Sequence, residues 1–553
     1  MMRRTSAVRE AFAALLLGLV LAVVTRRPQD LATSVPLDAG DPVFQTWVLA
    51  WPAHALRTGQ SLFDGNAFAP LPNTLAFSDS LLGYLPFGLV GEGPGAATVR
   101  YNLVLLLTTA LAFAGTWVLV RQLGLGRTAA LVAALAFAVN PWRVSQLGHL
   151  QVLSSGGIPL ALAMLARGHG LRLRETGLPR PGWALAGWST AAWHVSLGFG
   201  LGLQLAYLLA LATAVAAVRA LVVARSGAGL PPRRLLVADG VGLLLFVGLS
   251  AALAGPYFAA VQDHPQSRRT LAEVDLYSPS PASLVTAPPE SWAWGRLTED
   301  LRADVVAVNE KALFPGLVVL VLAGAGLTGG PWSRQRRVVL GGTVVVLAVC
   351  ALGTQGPGDG AAYRLLYELL PGYQGVRTPG RLITSAWLAL ALLAAHGVQR
   401  ALTGPLVRRV GPGAAGLALA AAVLLEGIDT APLAVAPPPP SVALADLAAP
   451  VMVLPSEAGS DQAVMRWSTD GFPRIVNGLS GFTPQVTEDL RAAASALPSP
   501  DALARLRAAG VRTLLVLPGA LPGTRYAALD VEALRALPGV TVQARTDVVV
   551  VSL

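Results

Sequence analysis

A single cysteine, Cys350, excludes a disulfide framework and any multi-cysteine metal site. Six scattered histidines argue against a histidine-rich metal protein. Lysine occurs once, at Lys311, so the net charge of +10 is almost wholly arginine. Charged residues are 13% of the chain, about half the ~25% of an ordinary soluble domain. That scarcity, beside 54% apolar residues over 553 positions, excludes a soluble globular enzyme, a disordered chain and a fibrous repeat. No Rossmann fingerprint appears, so no nucleotide-sugar fold is visible.

What the chain does have is long uncharged runs. A membrane span needs roughly 17–25 apolar residues. Stretches without Asp, Glu, Lys or Arg run 101–120, 128–142, 144–166, 181–218, 240–262, 312–333, 338–358, 382–399 and 410–425. The 181–218 stretch is long enough for two helices, with a break expected at Ser196-Leu197-Gly198-Phe199-Gly200-Leu201-Gly202, where glycine tolerates a turn. With the N-terminal run 11–25, this predicts about eleven spans. The first run has a basic start but no small-x-small cleavage site, and exits at Val24-Thr25-Arg26-Arg27. It reads as an uncleaved signal anchor rather than a signal peptide.

Arginine placement sets the orientation. Alternate loops carry Arg3, Arg4, Arg9; Arg121, Arg127; Arg167, Arg172, Arg174, Arg180; Arg219, Arg225, Arg233, Arg234; Arg334, Arg336, Arg337; and Arg400, Arg408, Arg409. The same segments hold only Glu10, Glu175 and Asp239 as acids. The positive charge is therefore a topology signal, and a nucleic-acid partner is not expected. The N-terminus falls in the cytoplasm. The outer face of a bacterial plasma membrane receives loops 26–98, 260–311 and 354–381 and the C-terminal tail. The expected division is a transmembrane domain over 1–430, a Pro-rich linker over 431–440 containing Pro437–Pro440, and a soluble periplasmic domain over 441–553. In that tail Val451–Leu454, Thr513–Leu517 and Val548–Val551 read as strands. Segments 486–497, 500–509 and 530–536 read as helices, with Gly510 closing the second. The fold class is thus an α-helical polytopic membrane protein with a small C-terminal α/β domain. The tail shows no phosphate loop and no nucleophile elbow, and a packing or acceptor-docking role is expected of it.

Loop 26–98 carries the densest set of special residues. Asp41 precedes Pro42, which suits a helix start. It either caps that helix or presents a carboxylate beside lipid. Trp47 and Trp51 are four apart, as expected for a helix lying at the headgroup level with its rings in the interface. A partly desolvated carboxylate is a stronger base, and a transfer from a lipid-linked donor to a hydroxyl needs one within reach of the proton.

The stretch Gly40-Asp41-Pro42, Trp47, Ala50-Trp51, His54-Ala55-Leu56 resembles the start of the bacterial GT-C integral-membrane glycosyltransferases. So do Leu62-Phe63-Asp64-Gly65-Asn66-Ala67-Phe68-Ala69-Pro70, Thr74-Leu75-Ala76-Phe77-Ser78-Asp79, Gln146-Leu147-Gly148-His149-Leu150-Gln151, Leu313-Phe314-Pro315-Gly316-Leu317, Val376-Arg377-Thr378-Pro379-Gly380-Arg381 and Val476-Asn477-Gly478-Leu479-Ser480-Gly481-Phe482. Their order spans nearly the whole chain. The resemblance implies a GT-C-like fold, a polyprenyl-phosphate sugar as lipid co-substrate, and an acidic residue of the first outer loop as catalytic base. Asp41 matches by position and context, and Asp38 is its rival. Asp79 is either a second acidic group, for acceptor or metal, or a turn former.

Arg377 and Arg381 flank Thr-Pro-Gly on the outside, where the topology bias does not call for arginine. A guanidinium pairs bidentately with phosphate, which makes both candidates for the donor phosphate; the alternative is interfacial snorkelling. Tyr373 and Gln374 are expected beside them. His149 and Gln151 sit where two apolar stretches meet, and a helix break there would turn both into a cavity. His194 near the glycine-rich break is a further candidate, His396 is expected to be structural, and Glu290-Ser291-Trp292-Ala293-Trp294 suits either sugar stacking or the membrane interface. The expected partners are the bilayer, the lipid-linked hexosyl or pentosyl donor, and a glycan, lipid or protein acceptor. A divalent metal is left open. Two other readings stand beside the enzyme: a transporter or flippase of a lipid-linked saccharide, which would want charges or broken helices at the midplane, and a non-catalytic polysaccharide-assembly protein.

Overall fold

The computed structural model describes residues 2–553 except 90, 173–176, 226–230, 404–406 and 408–410, with backbone alone at 2–6 and 224. Of the topology-setting residues, Arg174, Glu175, Arg408 and Arg409 and the side chains of Arg3 and Arg4 lie outside the described residues. The chain divides into two compact units, both discontinuous. One holds Met1–Arg27, Leu105–Leu253 and Arg268–Ala431; the other holds Pro28–Val104, Ala254–Ser267 and Pro432–Leu553.

Among the described residues seven helices are long and apolar enough to cross a membrane: Ala7–Arg26, Gly93–Gln122, Arg127–Ser145, Leu150–Gly168, Phe199–Val223, Arg233–Asp263 and Pro379–Ala401. Leu317–Thr328 and Pro412–Glu426 are apolar but shorter. Two further expected spans differ for local reasons. Arg334–Ala351 begins with Arg334, Arg336 and Arg337 in its first turn. Pro181–Val195 has 15 residues, about 22 Å of rise against the ~30 Å of a hydrocarbon core. The break expected within 181–218 falls at 196–198, between Pro181–Val195 and Phe199–Arg225.

In the first unit, helix Ile383–Ala401 is buried along almost its whole length. It interlocks with Leu317–Thr328 through small residues: a Cβ on Gly397 would lie 1.9 Å from Leu322 O, and one on Gly326 would lie 2.2 Å from Leu393 O. Backbones can approach this closely only where side chains are absent, the usual solution for helices packed in lipid. Gly18 against Ala110 seats the first helix in the same way. Helices Phe199–Arg225 and Arg233–Asp263 instead expose apolar side chains such as Leu211, Val218, Leu244 and Val247, a composition suited to lipid.

The stretch between 127 and 168 is broken into Arg127–Ala138, Pro141–Ser145, Leu150–Leu153 and Gly157–Gly168. Broken backbone at such depth must have its polar groups satisfied from within the protein. Asn140 Oδ1 accepts from Arg143 N at 3.0 Å, and the buried Arg143 donates to Ser155 Oγ at 2.8 Å and Leu153 O at 3.0 Å. The Leu313-Phe314-Pro315-Gly316-Leu317 motif opens the next helix. Glu426 accepts from Leu317 N at 2.8 Å and Val318 N at 3.0 Å, supplying a helix cap from a distant segment. Gly316, at φ +100°, makes room, since a Cβ there would meet Glu426 Oε2 at 2.7 Å.

The second unit is built around helix Asp41–Thr58, buried from Pro42 to Ala53. The interfacial role expected of Trp47 and Trp51 is corrected here. Both rings are inside, with Trp47 Nε1 donating to Asn66 Oδ1 at 2.7 Å and Trp51 Nε1 to Leu62 O at 3.0 Å. Their four-residue spacing marks a core face, because each indole finds an internal acceptor. Ser34–Pro36 pairs antiparallel with Leu433–Val435. Val451–Leu454 runs parallel to Thr513–Val516, which pairs antiparallel with Val549–Ser552, and Thr541–Ala544 forms the far edge. Helices Gln485–Ser495 and Pro500–Ala508 pack on this sheet, and Gly510 at φ +84° follows the second. The helix expected over 530–536 is only a 3-10 turn, Ala533–Ala536. The proline run is held at its start, where Pro437 O accepts from Arg466 Nη1 at 3.0 Å and Trp467 Nε1 at 2.9 Å.

Candidate active site

In the second unit Asp41 is the first residue of its helix; Gly40 occupies the cap position and has no side chain to cap it with. Asp41 is exposed while the residues that follow it are buried. A carboxylate in the first turn lies at the end of the helix dipole that favours negative charge. Asp38 accepts from Gly40 N at 2.8 Å and so shapes the entry turn. Asp79 sits in a turn clamped by Tyr257, whose hydroxyl donates to Ser78 O at 3.0 Å and accepts from Ser80 N at 3.1 Å. Two of the motifs prove to be packing devices. Asn66 donates to Ser468 Oγ at 3.0 Å and Pro473 O at 2.7 Å. Asn477 brackets Val453, accepting from its N at 2.7 Å and donating to its O at 2.8 Å, while Gly478 leaves space for the Phe68 ring.

In the first unit a residue the sequence reading missed organises the polar groups. Glu310 is buried, and Arg381 meets it side-on, with Nε 3.1 Å from Oε2 and Nη2 2.5 Å from Oε1. His149 Nε2 lies 3.8 Å from Oε1. Gln146 donates its amide to Asn309 O, which turns its Oε1 to accept from His149 Nδ1 at 3.0 Å. Burial alone would raise the Glu310 pKa; Arg381 and His149 outweigh it and hold the carboxyl below the usual glutamate range. The signal available in the sequence was an acid beside the only lysine, three residues before the Leu313 motif.

Arg377 stands apart from that pair. Its guanidinium lies over the Tyr277 ring at 5.1 Å and 3.9 Å from Glu273 Oε1. Arg269 takes the same oxygen at 2.8 Å, so these two guanidiniums share one carboxylate. Burial, and then Arg377, lowers the Arg269 pKa. Tyrosines fix the surrounding turns: Tyr367 donates to Arg269 O at 2.6 Å, Tyr363 to Val376 O at 3.0 Å and Tyr207 to Pro371 O at 2.8 Å. Arg377 is the more exposed of the two sharing Glu273.

The remaining candidates are dispersed. Tyr373 is buried against Tyr207 and Tyr363, and burial pushes its hydroxyl up to about 12, so it packs rather than lines. Gln374 contributes its carbonyl to Arg269 N at 3.0 Å. Gln151 packs on Gly198 at the 196–198 break, and His194 is buried against Gly157. His396 accepts from Trp332 N at 3.2 Å and donates to Gly326 O at 2.8 Å, a structural pairing. Glu290 ties its carbonyl to Thr430 N at 2.8 Å. Among the described residues no group of three or more His, Cys, Asp or Glu could hold a metal ion.

No family model and no curated protein sequence matches the chain. Solved structures do. The arabinofuranosyltransferase AftD from Mycobacteria aligns over 98% of this chain at 16% identity and a TM-score of 0.55; this chain spans 40% of that protein's length. The oligosaccharyltransferase AglB from Archaeoglobus fulgidus aligns over 92% of this chain and 69% of its own, at 11% identity and a TM-score of 0.45. ArnT from Cupriavidus metallidurans aligns over 99% of this chain and 98% of its own, at 16% identity and a TM-score of 0.39. The chain has the fold of the GT-C membrane glycosyltransferases.

Proposed function

We propose that the protein is a glycosyltransferase of the outer face of a bacterial plasma membrane, moving a sugar from a polyprenyl-phosphate donor to an acceptor hydroxyl. The observation that carries the reading is Asp41, an exposed acidic residue at the start of a helix that is buried from Pro42 to Ala53. In this scheme Asp41 takes the proton of the acceptor hydroxyl. The oxygen attacks the anomeric carbon, the bond to the phosphate oxygen breaks, and the polyprenyl phosphate leaves. One displacement inverts the anomeric centre. Developing charge on the leaving phosphate needs a cation. Arg377 suits this better than Arg381, because Arg381 already has Nε and Nη2 on Glu310, whereas Arg377 is half-buried, with its side chain 40% exposed, beside a second guanidinium. Asp38 shapes the turn that presents Asp41.

The test uses the full chain in lipid nanodiscs with a polyprenyl-phosphate pentose as first donor. Acceptors come from envelope glycans and lipids of a deletion strain, where mass spectrometry identifies the sugar that disappears. Asp41→Asn should insert and fold normally and lose about 10²–10⁴-fold in turnover, the usual worth of a general base. Wild-type turnover in that variant refutes the assignment.

A further inference from the structure

The loop between helices Arg233–Asp263 and Leu317–Thr328 exposes large apolar side chains that neither the fold nor the proposed chemistry uses. Trp292 is 59% exposed and Leu297 74%, with Val285, Leu301 and Val306 also exposed. A tryptophan this open to water needs an explanation, because its ring is large and apolar with one polar edge.

The segment is rigidly mounted. Trp292 N donates to Ile428 O at 3.0 Å, Thr430 N to Glu290 O at 2.8 Å, and Ser291 bridges Asp429. Arg302 fastens the loop to itself, donating to Ala287 O at 2.8 Å, Thr298 Oγ1 at 2.8 Å and Gly295 O at 2.6 Å. Trp294 is turned inward, with its indole on Glu426 at 3.2 Å and its ring edge-on to Phe314. The two tryptophans therefore divide: one braces the loop and the other faces out.

The mounting point sets the depth. Glu426 is the last residue of apolar helix Pro412–Glu426, and Leu317 the first of apolar helix Leu317–Thr328. The hydrogen bonds from Leu317 and Val318 to Glu426 bring these two ends together. Leu317, Val321, Leu417 and Leu425 are exposed on the same helices, which makes this their lipid face. Trp292 is bonded to Ile428, three residues beyond Leu425, and so extends that face past the helix ends to where headgroups begin. Indole rings concentrate at that level.

We propose that loop 285–306 is a membrane-surface platform, with Trp292 and Leu297 inserted among the lipid headgroups next to helices Pro412–Glu426 and Leu317–Thr328. This rests on the membrane placement of the helices and is independent of sugar transfer. A lipid-soluble co-substrate moving in that leaflet would meet this surface before the polar groups of the loop.

The full chain carrying Cys350→Ala, reconstituted in phosphatidylcholine/phosphatidylglycerol nanodiscs, supplies the test. An environment-sensitive fluorophore is placed at Trp292→Cys or Leu297→Cys. Val321→Cys serves as the lipid control and Arg545→Cys as the aqueous control. The platform predicts several-fold stronger quenching of the 292 and 297 probes by shallow spin-labelled lipid than of the 545 probe, with protection from iodide. Iodide quenching equal to that at 545 overturns it, as does insensitivity to both quenchers, which would mean protein covers the loop. Should the cysteine variants fail to fold, a photoactivatable phospholipid with the unsubstituted chain gives the same answer: adducts in peptides spanning 285–306 support the platform, and their absence beside adducts in Leu317–Thr328 refutes it.

Discussion

Glu310 carries the sharpest residue-scale consequences. Its carboxylate faces Arg381 and His149 in a buried setting. Removing one partner of a buried ion pair leaves an uncompensated charge, at a cost of about 3–5 kcal/mol. Glu310→Ala should therefore lower the midpoint of thermal unfolding in detergent markedly, and Glu310→Gln less so, because an amide still accepts from Arg381. An unchanged midpoint in Glu310→Ala would mean the pair is not formed. The pH dependence has a definite sign. A carboxyl whose folded pKa is depressed adds stability above the ordinary glutamate value of 4.5, and that stability is lost as pH falls through the folded value. Acid unfolding curves of wild type and Glu310→Gln should converge below that range. For Arg377, a hydrogen bond to a charged group is worth about 1.5–3 kcal/mol. Arg377→Ala should thus raise the donor's KM by about tenfold or more while expression stays unchanged. Equal donor dependence in variant and wild type would remove the role.

At the scale of elements, small residues decide which helices touch. Gly397 lets Ile383–Ala401 lie against Leu317–Thr328 with no space for a side chain. Gly397→Val forces two buried backbones apart and should cost at least the ~1–3 kcal/mol of core overpacking, read as a lower unfolding midpoint; tolerance of valine would contradict the interlock. The sequence showed the apolar runs here but not their partners, since a glycine in an apolar run looks the same whether it packs on a helix or faces lipid. The broken stretch between 139 and 157 is a similar case. The sequence suggested a break beside His149 and Gln151, whereas the satisfaction of the Leu153 carbonyl by Arg143 is a tertiary contact that no local pattern shows. The Asp41 helix misled through its tryptophans: a four-residue spacing is the same for an interfacial stripe and a core stripe, and the acceptors on Asn66 and Leu62 decide between them.

For the whole molecule, the arginine pattern predicts that reporter fusions within 285–306 report the outer compartment and fusions after Arg337 the cytoplasm. The reverse result would invert the orientation and with it the side on which Asp41 is proposed to act. Residues 28–104 share a compact unit with 432–553, although more than three hundred residues separate them in sequence.

Composition and charge spacing by themselves determined that this is a helical membrane protein, roughly where its helices run, and where the chain turns to strands beyond 450. These are one-dimensional properties: hydropathy over a helix length, alternation over a strand. They also put forward Asp41, Arg377 and Arg381 as candidates, whose roles remain proposals. Only the tertiary structure decided that Arg381 is engaged by Glu310, that Arg269 and Arg377 share Glu273, that the Asn477 motif braces a strand, and that Trp292 faces out while Trp294 faces in. Each of those depends on which side chain a distant segment delivers, and burial makes an unpartnered charge or donor too costly for local pattern alone to settle it.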